Sequence, residues 1–153
     1  MPTFSLRDLR NDDLDLLLSI ELNTENQRYT RLSEDLNAEQ LAEFLHSDHN
    51  LRKYGQLRQV IDSSDGSVGF IDCYNADFES GRIGVGILIQ QSKRRKGAAI
   101  DALKLISGQL RNLGFKTIYA EVENWNSASI SLFKKAGYTL LDDSECIFEL
   151  NLE

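Results

Sequence analysis

Apolar and polar residues alternate from Thr3 to Arg7, a period of two that predicts a short first strand. Leu14, Leu17, Leu18 and Leu22 then recur at helical spacing behind Asn11, Asp12 and Asp13, whose side chains suit a helix start. The segment from Asn23 to Leu36 is polar and without a period, so it reads as a loop. Asn37 followed by Gln40 is a capping-box pattern that opens a second helix, with Leu41, Phe44 and Leu45 on its apolar stripe. From Gln56 the period returns to two. Leu57 to Asp62 reads as a strand, Asp65-Gly66 as a hairpin turn and Val68 to Tyr74 as the next strand. A third strand, Arg82 to Gln90, follows a turn through Glu79, Ser80 and Gly81.

Gly84 and Gly86 weaken that third strand unless a bulge, or close approach by another backbone or a ligand, requires them. Next come Lys93-Arg94-Arg95-Lys96-Gly97 and a helical run from Ala98 to Leu113, with Ile100, Leu103, Leu105, Ile106 and Leu110 apolar and Gly114 as its stop. Lys116 to Glu123 reads as a strand and Ser127 to Lys135 as a short helix ended by Gly137. Tyr138 to Leu141 and Cys146 to Leu150 close the chain as strands. The order predicts an α/β (α+β) layer structure around a mostly antiparallel sheet. At 153 residues, with no repeat, linker or low-complexity tract, it is expected to be one domain over residues 1–153.

Composition narrows the function. An excess of 24 acidic over 17 basic residues gives a net charge of −7, which disfavours a nucleic-acid partner and suits a cationic one. Two cysteines are too few for a disulfide framework or a zinc cluster, and Cys73 and Cys146 both read as buried thiols in strand-like runs. His46 and His49 have no clustered ligands around them and read as surface residues, so no metal is expected. The N-terminus lacks a leader pattern and no apolar run could span a bilayer. The expectation is a soluble cytoplasmic protein with no membrane partner.

Two segments carry candidate chemistry. In the first, the strand Val85-Gly86-Ile87-Leu88-Ile89 feeds a basic loop and then a helix N-terminus, an arrangement that favours an anion. Gly97 lets the backbone approach a pyrophosphate, yet the spacing Arg94-x-x-Gly97-x-Ala99 is neither a Walker A nor a Rossmann loop. By itself the loop reads equally well as a solvated basic patch. In the second segment, Asn126 opens the run through Ser129, Leu132, Phe133, Lys135 and Gly137 to Tyr138. An Asn in that place is often only a helix cap.

In this order and spacing the two segments resemble the GNAT superfamily of N-acetyltransferases, within it the branch of ribosomal-protein alanine and spermidine-type acetyltransferases. The resemblance spans the whole element order, and its specific part is residues 82 to 138. It implies acetyl-CoA as cosubstrate, lying between the strands Arg82–Gln90 and Lys116–Glu123, which splay apart. Backbone groups of Ile87, Leu88 and Ile89 would pair with the pantetheine arm. The loop of Arg94, Arg95, Lys96, Gly97, Ala98 and Ala99 would hold the pyrophosphate, and Asn126 would reach the pantetheine or the cofactor's far arm, with Ser129 nearby. The second partner is a primary amine, either a polyamine or other small amine, or a protein N-terminus. Relatives often form homodimers.

Acetyl transfer needs a base for the ammonium and a fate for the leaving thiolate. Glu121, five residues before Asn126, matches a catalytic Glu of the alanine acetyltransferases and is the expected base, with Glu123 and Asp72 as competitors. Where many relatives carry a proton-donating Tyr, this chain has Phe133. Either Tyr138, Tyr119 or water protonates the thiolate, or it leaves unassisted, or the chain is a non-catalytic acyl-CoA sensor on the same fold. Trp125 either walls the acceptor pocket or packs, and packing is the expectation. Glu21, Glu25, Glu34 and Asp35 border the first helical loop and either attract a polyamine or a basic N-terminus or form a solvated acidic face, which is the expectation.

Overall fold

The computed structural model describes residues 3–22, 37–94, 96–142 and 146–153. Strand β1 (Phe4–Asp8) passes through a 3-10 turn (Asn11–Asp13) into helix α1 (Leu14–Glu21), and helices α2 (Ala38–His46) and α3 (Leu51–Tyr54) come next. They are followed by β2 (Leu57–Ser63), β3 (Gly66–Asp77), β4 (Arg82–Ile89), α4 (Ala98–Asn112), β5 (Thr117–Glu121), α5 (Ser127–Lys135), β6 (Thr139–Asp142) and β7 (Ile147–Asn151). The strands form one sheet in the order β1-β2-β3-β4-β5-β7-β6, antiparallel everywhere except between β4 and β5.

The expected α/β order holds, with one addition. Helix α3 is a single turn capped by Asn50 Oδ1, which accepts the Lys53 N–H at 3.0 Å. Four residues are too few for a period to register. The capping box of α2 forms as expected: Asn37 Oδ1 accepts the Gln40 N–H at 2.9 Å, and Gln40 Oε1 accepts that of Asn37 at 3.0 Å. The loop expected over Asn23 to Leu36 lies outside the described residues.

Strand alternation sorts the sheet into two faces. Ile71, Cys73, Ile83, Val85, Ile118, Ala120 and Phe148 bury one face under α4, where Ala102, Leu103, Ile106 and Leu110 meet them, with Phe133 of α5 at the side. Val60, Phe70 and Leu88 bury part of the other face under Leu17 and Ile20 of α1 and Leu45 of α2. Cys73 is buried as expected, and burial, with the Asp72 charge second, pushes its thiol up to about 12. Cys146 departs from expectation. It is half-buried, in a left-handed conformation (φ +54°) just before β7.

Arg7 ties β1 to the start of α1. Its Nη1 and Nη2 donate to both carboxylate oxygens of buried Asp13 at 2.9 and 2.8 Å, and its Nε donates to Asp62 of β2 at 3.1 Å. The Arg10 N–H donates to Asp13 as well, at 2.7 Å. Asp13 therefore works through Arg7 and Arg10 rather than as a side-chain helix cap. Burial alone would raise its carboxyl, but these donors outweigh burial and hold it below the ordinary 3.8.

The ladder between β4 and β5 is short. It pairs Arg82 with Thr117, Ile83 with Ile118 and Gly84 with Tyr119, and ends there. Beyond it β4 stays with β3, from Asp72↔Gly86 to Gly69↔Ile89, while β5 stays with β7 through Glu121↔Ile147. The two strands diverge into the expected cleft. The two glycines of β4 have different causes. A Cβ on Gly84 would stand 2.5 Å from the Tyr74 ring, whereas one on Gly86 would meet no described atom within 4 Å.

Two outcomes follow from this packing. Asp13→Asn should lower stability at pH 7 by about 2 kcal/mol, the worth of hydrogen bonds to a charged group. Because the folded carboxyl is depressed, the wild-type advantage is present above pH 3.8 and lost as pH falls through the lower folded value, so urea melts at pH 7 and in acid should converge. Gly84→Ala must displace the Tyr74 ring and should cost about 1–3 kcal/mol. Gly86→Ala, measured the same way, should stay within about 0.5 kcal/mol of the parent.

Candidate active site

The cleft ends beside the first turn of α4. Gly97 occupies the N-cap with φ +86°, a left-handed conformation that strains other residues, and no side-chain cap is formed among the described residues. The first-turn amides of Ala98, Ala99 and Ile100 lack acceptors within the helix, and the dipole adds positive potential to them. A Cβ on Gly97 would meet no described atom within 4 Å beyond its chain neighbours. Lys96 is exposed beside them, and half-buried Arg94 donates from Nε to the Ile89 carbonyl at 3.2 Å. That bond ties the loop to the end of β4. Arg95 lies outside the described residues. A helix start of this kind favours an anion.

Ile87, Leu88 and Ile89 sit on the diverging half of β4, where the described residues supply a strand partner on the β3 side alone. Asn126 follows β5 and caps α5: its Oδ1 accepts the Ser129 N–H at 3.2 Å. Ser129 is half-buried in that first turn.

The face of the cleft turned toward α1 and α2 carries the polar groups. Because Gly84 pairs with Tyr119, strand alternation puts Gly86 in line with Glu121 across the opening, and Asp72 flanks Gly86 on β3. Glu121 is exposed. Tyr119 is half-buried, with its phenol oxygen accepting from Asn75 Nδ2 at 3.1 Å and its ring edge-on to Tyr74. Arg82 lies 4.6 Å over that ring while paired with Glu149.

Asp72 is clamped by Arg58 through Nε to Oδ1 at 2.6 Å and Nη2 to Oδ2 at 2.8 Å, and the third arm of Arg58 reaches Glu21 at the end of α1. Glu21 is 2% exposed, which overturns its reading as part of a solvated acidic face. Burial raises its carboxyl above the ordinary value, and Arg58 only partly offsets the effect. Glu25, Glu34 and Asp35 lie outside the described residues. This cluster was missed in the sequence, although a signal exists. Arg58 precedes Val60 by two positions and Asp72 follows Phe70 by two, so both charges share a face with buried apolar residues.

Other expectations change. Tyr138 is buried with its ring 5.0 Å from that of Phe133, and burial pushes its phenol above the ordinary value. It belongs to the core under α4 and not to the cleft face. Phe133 itself is buried there, against Phe148 as well. Trp125 is 45% exposed where packing was expected. His46 is exposed, while His49 is half-buried and sits edge-on to Phe44. Among the described residues no cluster could hold a metal ion, and no helix is long and apolar enough to cross a membrane.

Comparison with known proteins agrees with this geometry. The family model described as the acetyltransferase (GNAT) domain matches residues 4–139. No curated protein matches the chain. Among solved structures, spermidine N-acetyltransferase from Vibrio cholerae in complex with CoA and spermine is similar at 15% identity over 97% of this chain and 95% of its own, with a TM-score of 0.85. A domain from Methanocaldococcus jannaschii is 22% identical over 99% of both chains, with a TM-score of 0.79. A phosphinothricin acetyltransferase from Sinorhizobium meliloti in complex with AcCoA is 18% identical over 97% of this chain and 88% of its own, with a TM-score of 0.75. At these identities the neighbours speak for the fold, and the family match carries the rest: the chain belongs to the GNAT acetyltransferase family, whose acyl donor is acetyl-CoA.

Proposed function

We propose that this protein moves the acetyl group of acetyl-CoA onto the primary amine of a cationic acceptor that enters over the face shared by α1 and α2. The observation that carries this reading is the β4–β5 ladder ending after three pairs, next to a helix N-terminus that no side chain caps among the described residues. The diverging strands give a thioester arm a slot, and the amides give a pyrophosphate its donors. The Arg94-to-Ala99 loop holds the pyrophosphate, with Arg94 braced on Ile89. The backbone of Ile87, Leu88 and Ile89 pairs with the pantetheine. Asn126 has its side-chain oxygen committed to Ser129 and turns its amide nitrogen to the same arm.

Glu121 serves as base. It lies on the cleft face two residues past Tyr119, the last residue of β5 paired with β4. Asp72 is less suited, because both its oxygens accept from Arg58. Glu123 falls beyond the end of β5. Glu121 takes one proton from the acceptor ammonium, and the amine nitrogen attacks the thioester carbon. The new C–N bond forms and leaves an oxyanion, collapse breaks the C–S bond, and the expelled CoA thiolate takes the amine's second proton, directly or through water, and departs as the thiol. Backbone N–H groups along Gly86 to Ile89 stabilise the oxyanion. A thiolate whose parent acid has a pKa of about 8.5 leaves readily, so the burial of Phe133 and Tyr138 in the core leaves the reaction feasible. Glu121 at its spacing from Asn126 favours the branch of ribosomal-protein alanine and spermidine-type acetyltransferases.

Two measurements test the assignment. The double variant Arg94→Glu, Gly97→Glu should weaken acetyl-CoA binding at least about tenfold by calorimetry, since it places charge and strain in the anion site. Unchanged binding overturns the pyrophosphate assignment. Glu121→Gln should lower kcat by about 10²–10⁴ with acetyl-CoA affinity intact. A parent-like kcat in that variant transfers the role to another group.

A further inference from the structure

Gly86 is a glycine that neither backbone conformation nor packing among the described residues explains. Its φ lies outside the left-handed region. The other two glycines of the β3–β4 pair have close neighbours: a Cβ on Gly69 would stand 2.1 Å from the Leu88 carbonyl, and one on Gly84 would stand 2.5 Å from the Tyr74 ring. A Cβ on Gly86 would meet no described atom within 4 Å beyond its chain neighbours. Glycine inside a strand weakens it, and where the fold itself does not ask for one, a ligand that comes close to the backbone does.

The vacant position has definite walls. One step along β4 on the same face is Leu88, buried under α1 and α2, and one step the other way the Tyr74 ring covers Gly84. Side chains on one face of a strand recur about every 6.8 Å, so the missing one leaves a notch about one small side chain long. Leu88 and the ring make its ends apolar. Asp72 flanks it on β3, and the register of Gly84 with Tyr119 puts Glu121 level with it across the opening. On the reading above, the pyrophosphate sits at the start of α4 and the pantetheine follows Ile89, Leu88 and Ile87 in turn. The thioester then arrives at Gly86, just short of the Gly84–Tyr119 pair where the cleft closes, and its acyl tail reaches the notch.

We infer that the notch at Gly86 receives the tail of an acyl group longer than acetyl, so that the protein also transfers short unbranched acyl groups, propionyl and butyryl, from their CoA thioesters. This rests on the acetyl transfer proposed above. The step balances as it does for acetyl: the amine nitrogen bonds to the acyl carbon, the C–S bond breaks, one proton passes to Glu121 and the other to the CoA thiolate. Chains much longer than the notch meet Leu88 or the Tyr74 ring. A donor whose tail ends in a carboxylate is refused, because Asp72 and Glu121 repel it and Arg58 already serves Asp72 and Glu21.

The test measures acylated amine formed from acetyl-, propionyl-, butyryl-, octanoyl- and succinyl-CoA, with one primary amine drawn from a pooled panel as common acceptor. For the wild-type protein propionyl-CoA should stay within about tenfold of acetyl-CoA in kcat/KM, with octanoyl- and succinyl-CoA at least about a hundredfold below it. Gly86→Val fills the notch and should cut the ratio of propionyl to acetyl transfer at least about tenfold, the cost of a refused methylene. Gly86→Ala should move the ratio the same way by less. A wild-type preference for acetyl over propionyl of more than about tenfold, or an unchanged ratio in the folded variants, overturns the notch while leaving the acetyltransferase reading in place. Transfer from none of the donors to any amine of the panel overturns both.

Discussion

Everything at the site depends on where β4 and β5 stop pairing. Each strand is committed to another neighbour, β4 to β3 and β5 to β7. Gly69 tightens the first commitment: a Cβ there would stand 2.1 Å from the Leu88 carbonyl, so β3 approaches β4 more closely than any side chain would permit. Two ladders pulling apart leave the parallel pair three residues long. Among the described residues, peptide groups that a sheet would ordinarily pair lack a strand partner on that side, and on the proposed reading an extended thioester arm takes that place.

The two faces of the sheet divide the labour. The side under α4 is apolar, and it takes in Tyr138, one of the proton donors the sequence offered, together with Phe133, which has no proton to give. The side toward α1 and α2 is apolar only as far as Leu88 and Phe70. Past them come Arg58, Glu21, Asp72 and Glu121. Burial of Glu21 carries a penalty that Arg58 only partly offsets, whereas Arg58, held by two carboxylates, has its charged form favoured despite its burial.

Much of the architecture is legible in the sequence because it rests on local rules. The alternation in β2 to β4, the Asn37–Gln40 box, and the stretch from the basic loop through Gly97 to α4 all depend on residues close in the chain. What was not legible depends on partners far apart. Arg58 and Glu21 are separated by 37 positions, and the Asn75 contact to Tyr119 by 44. Glu21 reads as a surface acid until β2 is placed beneath it. Gly84 and Gly86 look alike in the sequence, yet one lies under an aromatic ring and the other under open space. Trp125 shows the reverse failure, since a large apolar residue promises burial and the turn after β5 withholds it.

Helix α1 is pinned at both ends by the same chemistry. Asp13 before its first residue grips Arg7 of β1, and Glu21 at its last residue grips Arg58 of β2. A shift of the helix along the sheet by even one residue would break both grips together, and its apolar underside of Leu17 and Ile20 would lose its seat as well. On the proposed reading, the wall of the acceptor side is therefore anchored at both ends of this helix. Selectivity built on such a wall comes from matching a rigid template, with the cost of ordering it met when the chain folds and not each time a substrate arrives.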